Sequence, residues 1–522
     1  MLLSPCFPTG ILNQHVLNVG RIVIMNRYQL ITALAFALYL GLMLAIGFFT
    51  FRKTKSTSDY FLGGRSIGPW FTALSAEASD MSGWLLMGLP GLAYFTGLQE
   101  AFWTAVGLLV GTYLNWLFVA KRMRKYSIHA KDSITIPEFL TNRFHDKSKL
   151  LQTISSIIIL VFFIVYTASG FLASAKLFTA VFGMNYYVAL ILGVLVILGY
   201  TLLGGYLAVV ATDFLQGSLM FFALVTTGII AVFTIGGPAH TLEQLSQFGQ
   251  HFINPFVTPP GTSYGFLQIL SALAWGLGYF GMPHILIRFM SIRSNNEVKT
   301  SRRIAMVWVI IAMAAALLVG VVGKIFLLPV AYGSQSAAEA VFIASMQKIF
   351  PTFIAGFFLC AILAASMSTA DSQLLVASSA FSKDVYKAVL RKDASDKETL
   401  LVSRITVVAI TIIAIFLALD PNSSIFDVVS YAWAGFGATF GPVILASLFW
   451  RRASRNGAVA AMLSGGITVV VWKQLSGGLF DVYELLPGFI IASLCMVIFS
   501  LLEKHPDEEV FKEFDAFMAI ED

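Results

Sequence analysis

Apolar runs of roughly twenty residues recur along the chain, at about 28–50, 67–96, 99–120, 150–182, 186–204, 207–236, 264–290, 304–330, 351–382, 402–420, 423–450, 456–474 and 485–502. A helix of that length crosses the hydrocarbon core of a bilayer, about 30 Å thick. In lipid, backbone groups must bond within their own segment, which leaves helices or closed barrels. The thirteen runs therefore predict an all-α polytopic membrane protein with about 13 transmembrane helices. The composition agrees: 12% of residues are charged, against about 25% in soluble domains. Residues 1–27 are expected to be an N-terminal extension without fixed structure. Residues 28–503 would form the membrane domain and 504–522 a cytoplasmic tail.

The positions of the basic residues set an expected topology. The connections at 52–65, 121–149, 288–303, 383–404 and 451–455, with the tail from 503, hold 28 of the 34 Lys and Arg. These are alternate connections, so they share one side of the membrane. The long segment 237–263 on the other side holds none. The positive-inside rule makes the rich side cytoplasmic. An odd span count then puts the N-terminus outside and the C-terminus inside. The net charge of +6 is thus a membrane-side bias, and no nucleic-acid partner is expected. The first 24 residues lack the basic start and continuous apolar core of a signal peptide, and Met25 is a candidate natural start. Cys6, Cys360 and Cys495 are scattered, with no metal spacing or disulfide framework.

Two spans carry residues that disfavour a continuous helix. SAEASDMSGWLLMGLPG (75–91) contains Glu77, Asp80, three serines, three glycines and a proline. A charge at mid-bilayer costs about 2.5–3.5 kcal/mol even on the mildest scale. SALAWGLGYFGMPHILIRF (271–289) contains Gly276, Gly278, Gly281 and Pro283. Close helix packing is one reason for such glycines. The other is interruption of the helix. The two stretches open two groups of five spans, about 67–236 and 264–450, that run in opposite directions. Inverted repeats with matched broken helices are a secondary-transporter pattern. The expected fold is therefore of the LeuT type, with inverted five-helix repeats.

An unwound helix frees backbone carbonyls, and a hard cation such as sodium suits oxygen ligands. Ala78 and Met81 could supply carbonyls. The ninth run, LCAILAASMSTADSQLL (359–375), could supply hydroxyls: Ser366, Ser368, Thr369 and Ser372 lie at helical spacings of three and four. Hydroxyls in membrane helices also bond their own backbone. Asp80 could draw a cation without ligating it, or be paired or protonated. Arg65, toward the cytoplasmic end of the same span, is a possible partner. Trp275 and Tyr279 share a helix face, and Tyr166 sits among small residues. Aromatic rings with polar tips suit a small, partly apolar solute, as they also suit ordinary packing.

Most of these residues lie in the runs DYFLGGRS (59–66), ALSAEASDMSGWLLMGLPG (73–91), WGLGYFGMPHILIRFM (275–290) and AILAASMST (361–369), which are joined by SYAWAGFGATFGPVILASLFW (430–450) and RNGAVAAM (455–462). Together they resemble the sodium/solute symporter family, over about residues 28–503, and most closely its proline-carrying branch. The resemblance implies sodium-coupled import of L-proline through a bacterial inner membrane. It implies a Na+ site at Ala78 and Met81 through their carbonyls, with Ala365, Ser368 and Thr369. It implies ion-coupling roles for Asp80, Ser82, Gly83, Arg65 and Asp213. It implies solute contacts at Tyr166, Trp275 and Tyr279, with Pro283 nearby. Glu77 departs from the family pattern, which has a small residue there, and could alter ion preference or pH response.

Other readings are weaker. The same fold could carry another amino acid, a carboxylate or a sugar. About 20 residues follow the last span, so a membrane sensor with an attached kinase is not expected. No GxxxxGK[ST] loop is present, so no ATP partner is expected, and no cofactor beyond Na+ as coupling ion. No HExxH or catalytic triad pattern marks an enzyme.

Overall fold

The structure, a computed structural model, describes residues 25–51, 57–202, 205–503 and 507–520. Nearly all of the expected N-terminal extension lies outside these residues. The described chain is helical, with two isolated β-bridges, Ile67 to Ile292 and Val257 to Ser263. Among the described residues nine helices are long and apolar enough to cross a membrane, or ten if one bent pair is a single span. Length and composition do not bear out thirteen. Trp84–Thr96 and Tyr186–Thr201 are apolar but short.

Burial sorts the spans. Thr352–Leu390 and Ile425–Phe449 have 78% and 83% of their apolar windows buried, whereas Arg27–Thr50 and Leu485–Leu502 have 33% and 28%. The first pair forms the middle of the bundle, and the second pair lies at its periphery. Ser366, Ser368, Thr369, Ser372, Ser378 and Ser379 of the Thr352–Ser379 helix are thus enclosed by protein, where polar groups in a membrane helix are tolerated.

Both expected breaks are present. The first span starts at Pro69, a position where the missing N–H costs nothing, and its first helix is Pro69–Asp80. The turn then fails. Met81 N–H still reaches the Glu77 carbonyl, but Ser82 N–H bonds Asp80 O at 3.0 Å rather than Ala78 O. A π-helical turn at Trp84–Gly88 leads into Leu89–Thr96. In the second span, Phe266–Leu273 passes into a 3-10 segment, Ala274–Gly281, and Pro283 opens a further helix, Pro283–Ser291. The two halves meet at a 48° bend.

The glycines of the second break also serve packing. A Cβ on Gly276 would lie 2.2 Å from Gly107 O, and one on Gly111 would lie 2.2 Å from Gly276 O. The second broken span therefore touches the Leu98–Leu114 helix backbone to backbone. Gly278 similarly leaves room for the Trp433 indole, 1.9 Å from its ideal Cβ. Neither Gly276 nor Gly278 has a positive φ, so close approach explains them. Gly276→Ala should destabilise the protein by about 1–3 kcal/mol, the usual range for overpacking. Thermal unfolding in detergent would read this as a lowered midpoint. An unchanged midpoint would mean that the contact relaxes freely.

Candidate functional site

The first break frees the Ala78 carbonyl, and the Thr352–Ser379 helix answers it. Ser368 Oγ donates to Ala78 O at 2.7 Å and lies 3.3 Å from Ala365 O. Thr369 Oγ1, one residue on, is buried and has no protein partner. The Ala78 and Ala365 carbonyls and the Ser368 hydroxyl thus form one buried group of oxygens between the two helices, with Thr369 next in the chain. Met81 is the residue at which the helix ends. Gly83 is required by proximity, since a Cβ there would lie 2.7 Å from Ala173 Cβ. The Ser82 hydroxyl accepts from Trp84 N at 3.2 Å and caps the next turn.

On the other side of the break is a small cavity bordered by Asp80, Met81, Tyr166, Trp275 and Tyr279, together with Trp84, Leu108, Val429 and Trp433. Tyr279 OH donates to Asp80 Oδ2 at 2.5 Å, and Tyr166 OH donates to Asp80 O at 3.3 Å. Asp80 therefore faces two phenols, and Arg65 is not its partner. Arg65 instead lies on the Lys/Arg-rich side. It bonds Asp132 Oδ1 at 2.9 Å, Ser127 Oγ at 3.0 Å, Ser133 O at 2.8 Å and Met290 O at 2.7 Å. Burial lowers the Arg65 pKa, and Asp132 opposes that shift. Pro283 begins a half-helix and does not line the cavity.

The cavity has about 10 Å³ of open space, the lower limit for one water molecule. Trp275 separates it from a larger vestibule of about 610 Å³ that is also lined by Tyr483, by the acids Glu100, Asp427, Asp481 and Glu484, and by Lys473. The Trp275 ring stacks on Tyr483 at 5.2 Å and lies 5.5 Å from Trp84. Its carbonyl accepts from Trp433 Nε1 at 2.7 Å. Trp433 was not singled out in the sequence, although it lies in the SYAWAGFGATFG run. Only the crossing of helices brings it to Trp275.

Asp213 is distant from the cavity residues in the contacts it makes. It forms a buried ion pair with Arg288 at 3.2 Å and accepts from Ser75 and Ser79 at 2.6 and 3.1 Å. Arg288 was missed in the sequence, where it reads as one more residue of a basic connection.

Comparison with known proteins identifies the family of the chain. The model of the sodium:solute symporter family matches residues 60–465. The chain is 47% identical to the sodium/proline symporter of Escherichia coli (strain K12), over 92% of this chain and 94% of that protein. It is also 47% identical to a high-affinity proline transporter of Bacillus subtilis (strain 168), over 91% and 99%. Among solved structures, a substrate-bound, outward-open Na+-coupled sialic acid symporter is similar in fold, with TM-score 0.74 and 21% identity over 91% of this chain and 99% of that one.

Proposed function

The chain belongs to the sodium:solute symporter family, and from that premise we propose that it imports L-proline together with Na+ by alternating access. The observation that carries this reading is the Ser368–Ala78 contact beside the aromatic cavity. A cage of neutral oxygens and a small aromatic cavity would then flank one break. Sodium held by the Ala78 and Met81 carbonyls, Ala365 O and the Ser368 and Thr369 hydroxyls would fasten the first broken span to the Thr352–Ser379 helix. That fixes Asp80, Tyr166 and Tyr279 around the cavity. Each ligand then raises the affinity of the other by the same factor. Entry of proline requires Trp275 and its aromatic neighbours to move apart, because the cavity as it stands is too small.

The thirteen-span, inverted-repeat topology belongs to the same reading, with the Lys/Arg-rich side in the cytoplasm of a bacterium. The vestibule beside Trp275 then faces outward, and Arg65 with its partners closes the inner side. One sodium crossing about 100 mV gains about 2.3 kcal/mol. A tenfold sodium gradient adds about 1.4 kcal/mol. Together they support a proline gradient of roughly a few hundredfold, so no nucleotide is needed.

The test is uptake of labelled L-proline by purified protein in proteoliposomes, with an inward sodium gradient or choline in its place. Uphill uptake with sodium alone is the expected result. Absence of proline uptake under both cations would overturn the solute assignment. Uptake driven equally by a proton gradient would overturn the assignment of the coupling ion.

A further inference from the structure

On the Lys/Arg-rich side, far from the aromatic cavity in sequence, a separate cavity of about 570 Å³ opens where two spans end beside each other. That is the size of a small-molecule site. The span Leu98–His129 passes from Leu117 and Phe118 to Lys121, Arg122, Arg124 and Lys125 within about two turns. The span Ile425–Phe449 ends at Phe449, which is exposed. The C-terminal helix, Glu508–Ala519, supplies the third wall. It is fixed in place there. The Phe517 ring stacks on Tyr126 at 4.0 Å, and Arg451 donates to both oxygens of Asp515 at 2.7 Å. The lining has two kinds of side chain: Phe118, Phe449 and Met518 are apolar, and Lys121, Arg122 and Lys125 are cationic.

The two kinds are ordered along one helix face. Val110, Leu114, Leu117, Lys121 and Lys125 follow one another at spacings of three and four. Val110 and Phe118 are exposed, which in a spanning helix means that they face lipid. The cations begin where this apolar face stops. Arg122 lies 4.3 Å from the Phe449 ring centre and donates through Nη1 to Leu448 O at 2.9 Å and to the Met518 sulfur at 3.6 Å. Among the described residues its hydrogen bonds use Nη1 alone and go to neutral groups, which leaves Nε and Nη2 for a ligand. Lys125 Nζ donates to the Ile520 carbonyl and lies 5.7 Å from the Phe517 ring centre. Both cations are thus held at the cavity wall by the C-terminal segment.

Cations at the boundary of the apolar layer, with an apolar face running away from them into that layer, match one kind of molecule. A phosphodiester accepts from guanidinium and ammonium groups, and an acyl chain covers exposed apolar side chains. Free phosphate leaves the apolar lining unused, and a zwitterionic lipid brings an ammonium that three cations repel. We propose that this cavity binds the headgroup of an anionic phospholipid of the phosphatidylglycerol type, with its chains along the Val110–Phe118 face. Basic pockets between the inner ends of membrane helices recognise anionic headgroups in this way. Phe517, Met518 and Ile520 form one wall of the cavity, so the bound lipid ties the C-terminal helix to the ends of two spans. The proposal rests on the membrane-spanning reading, with the Lys/Arg-rich side at the headgroups, and does not depend on which solute or ion is carried.

The experiment titrates the full-length protein, in an uncharged detergent, with phosphatidylglycerol, phosphatidylcholine or inorganic phosphate. Binding of radiolabelled phosphatidylglycerol and the thermal unfolding midpoint are read. Phosphatidylglycerol should bind saturably and raise the midpoint, phosphatidylcholine should do neither, and inorganic phosphate should not displace the bound lipid. Lys121→Gln combined with Lys125→Gln should weaken phosphatidylglycerol binding by about twentyfold, roughly fivefold for each charge lost. Lys121→Arg combined with Lys125→Arg should keep it within about threefold of the parent, because the charges remain. Equal binding of phosphatidylcholine would overturn the proposal, as would unchanged phosphatidylglycerol binding in the Gln pair. Displacement of the lipid by inorganic phosphate would overturn the lipid assignment and leave a phosphate site. The comparison among ligands uses the parent protein, so a loss of stability in the Gln pair does not blunt it. Neither sodium nor proline is present, so failure of the symport reading leaves these outcomes unchanged.

Discussion

Asp80→Asn should leave a folded protein whose sodium-driven proline uptake, at limiting sodium, is lower by about a hundredfold or more. The amide can still accept the Tyr279 hydroxyl that now meets Asp80 Oδ2 at 2.5 Å, so the break and the cavity wall should persist. What is lost is the charge. A carboxylate about 5 Å from a bound monovalent cation, at an effective permittivity of about 20, contributes roughly 3 kcal/mol. That corresponds to about a hundredfold in ion affinity. The effect should therefore appear mainly as a raised half-saturating sodium concentration, partly recovered at high sodium. Sodium titration of uptake checks this. Unchanged sodium dependence with reduced maximal uptake would assign Asp80 to the solute step alone.

Lys176→Met should be the most destabilising single change outside the ion path. The Lys176 ammonium bonds Glu339 Oε2 and Ser336 Oγ at 2.5 and 2.8 Å, and the Ser423 carbonyl at 2.8 Å. Glu339 has 0% side-chain exposure and also accepts from Ser424 Oγ and Phe426 N. The pair ties the Leu150–Phe182 helix to the segment before Val341 and to the start of Ile425–Phe449. Removing one member of a buried pair typically costs about 3–5 kcal/mol, because the other charge is left uncompensated. Burial already raises the Glu339 pKa above normal, with Lys176 opposing. Without Lys176 the carboxyl is pushed higher still. An acid whose pKa is raised on folding loses stability as pH climbs from its unfolded value toward its folded one. Lys176→Met should thus be weaker at about pH 8 than at about pH 5, and adding Glu339→Gln should recover part of the loss. Thermal unfolding at the two pH values measures both. A pH-independent loss, or no rescue by the second change, would mean that the damage is one of packing.

The family motifs carried the candidate site a long way. Helical spacing offered Ser366, Ser368, Thr369 and Ser372, the resemblance singled out Ser368 and Thr369 among them, and the freed Ala78 carbonyl follows from polar and helix-weakening residues inside an apolar run. The structure brings these oxygens together as expected, at 2.7 Å between Ser368 and Ala78. Tyr166 and Tyr279 do meet Asp80, from two different spans. Arg65 illustrates the limit. Sharing a span with Asp80 made it a candidate partner, but it sits on the basic face and is taken up by Asp132 and backbone carbonyls. The span count shows another limit, since broken and short helices fall below the length that hydropathy alone can certify.

By itself the sequence determined the class of fold and the places where helices break. Both are local matters: apolar length against bilayer thickness, and residues that cannot continue a helical turn. Only the tertiary structure decided which polar groups pair. Arg288 with Asp213, Lys176 with Glu339 and Trp433 with the Trp275 carbonyl are 75, 163 and 158 residues apart. Periodicity reports which face of a helix is polar. It does not report which other face meets it, because that depends on how close the backbones can approach, as at Gly107, Gly111 and Gly276.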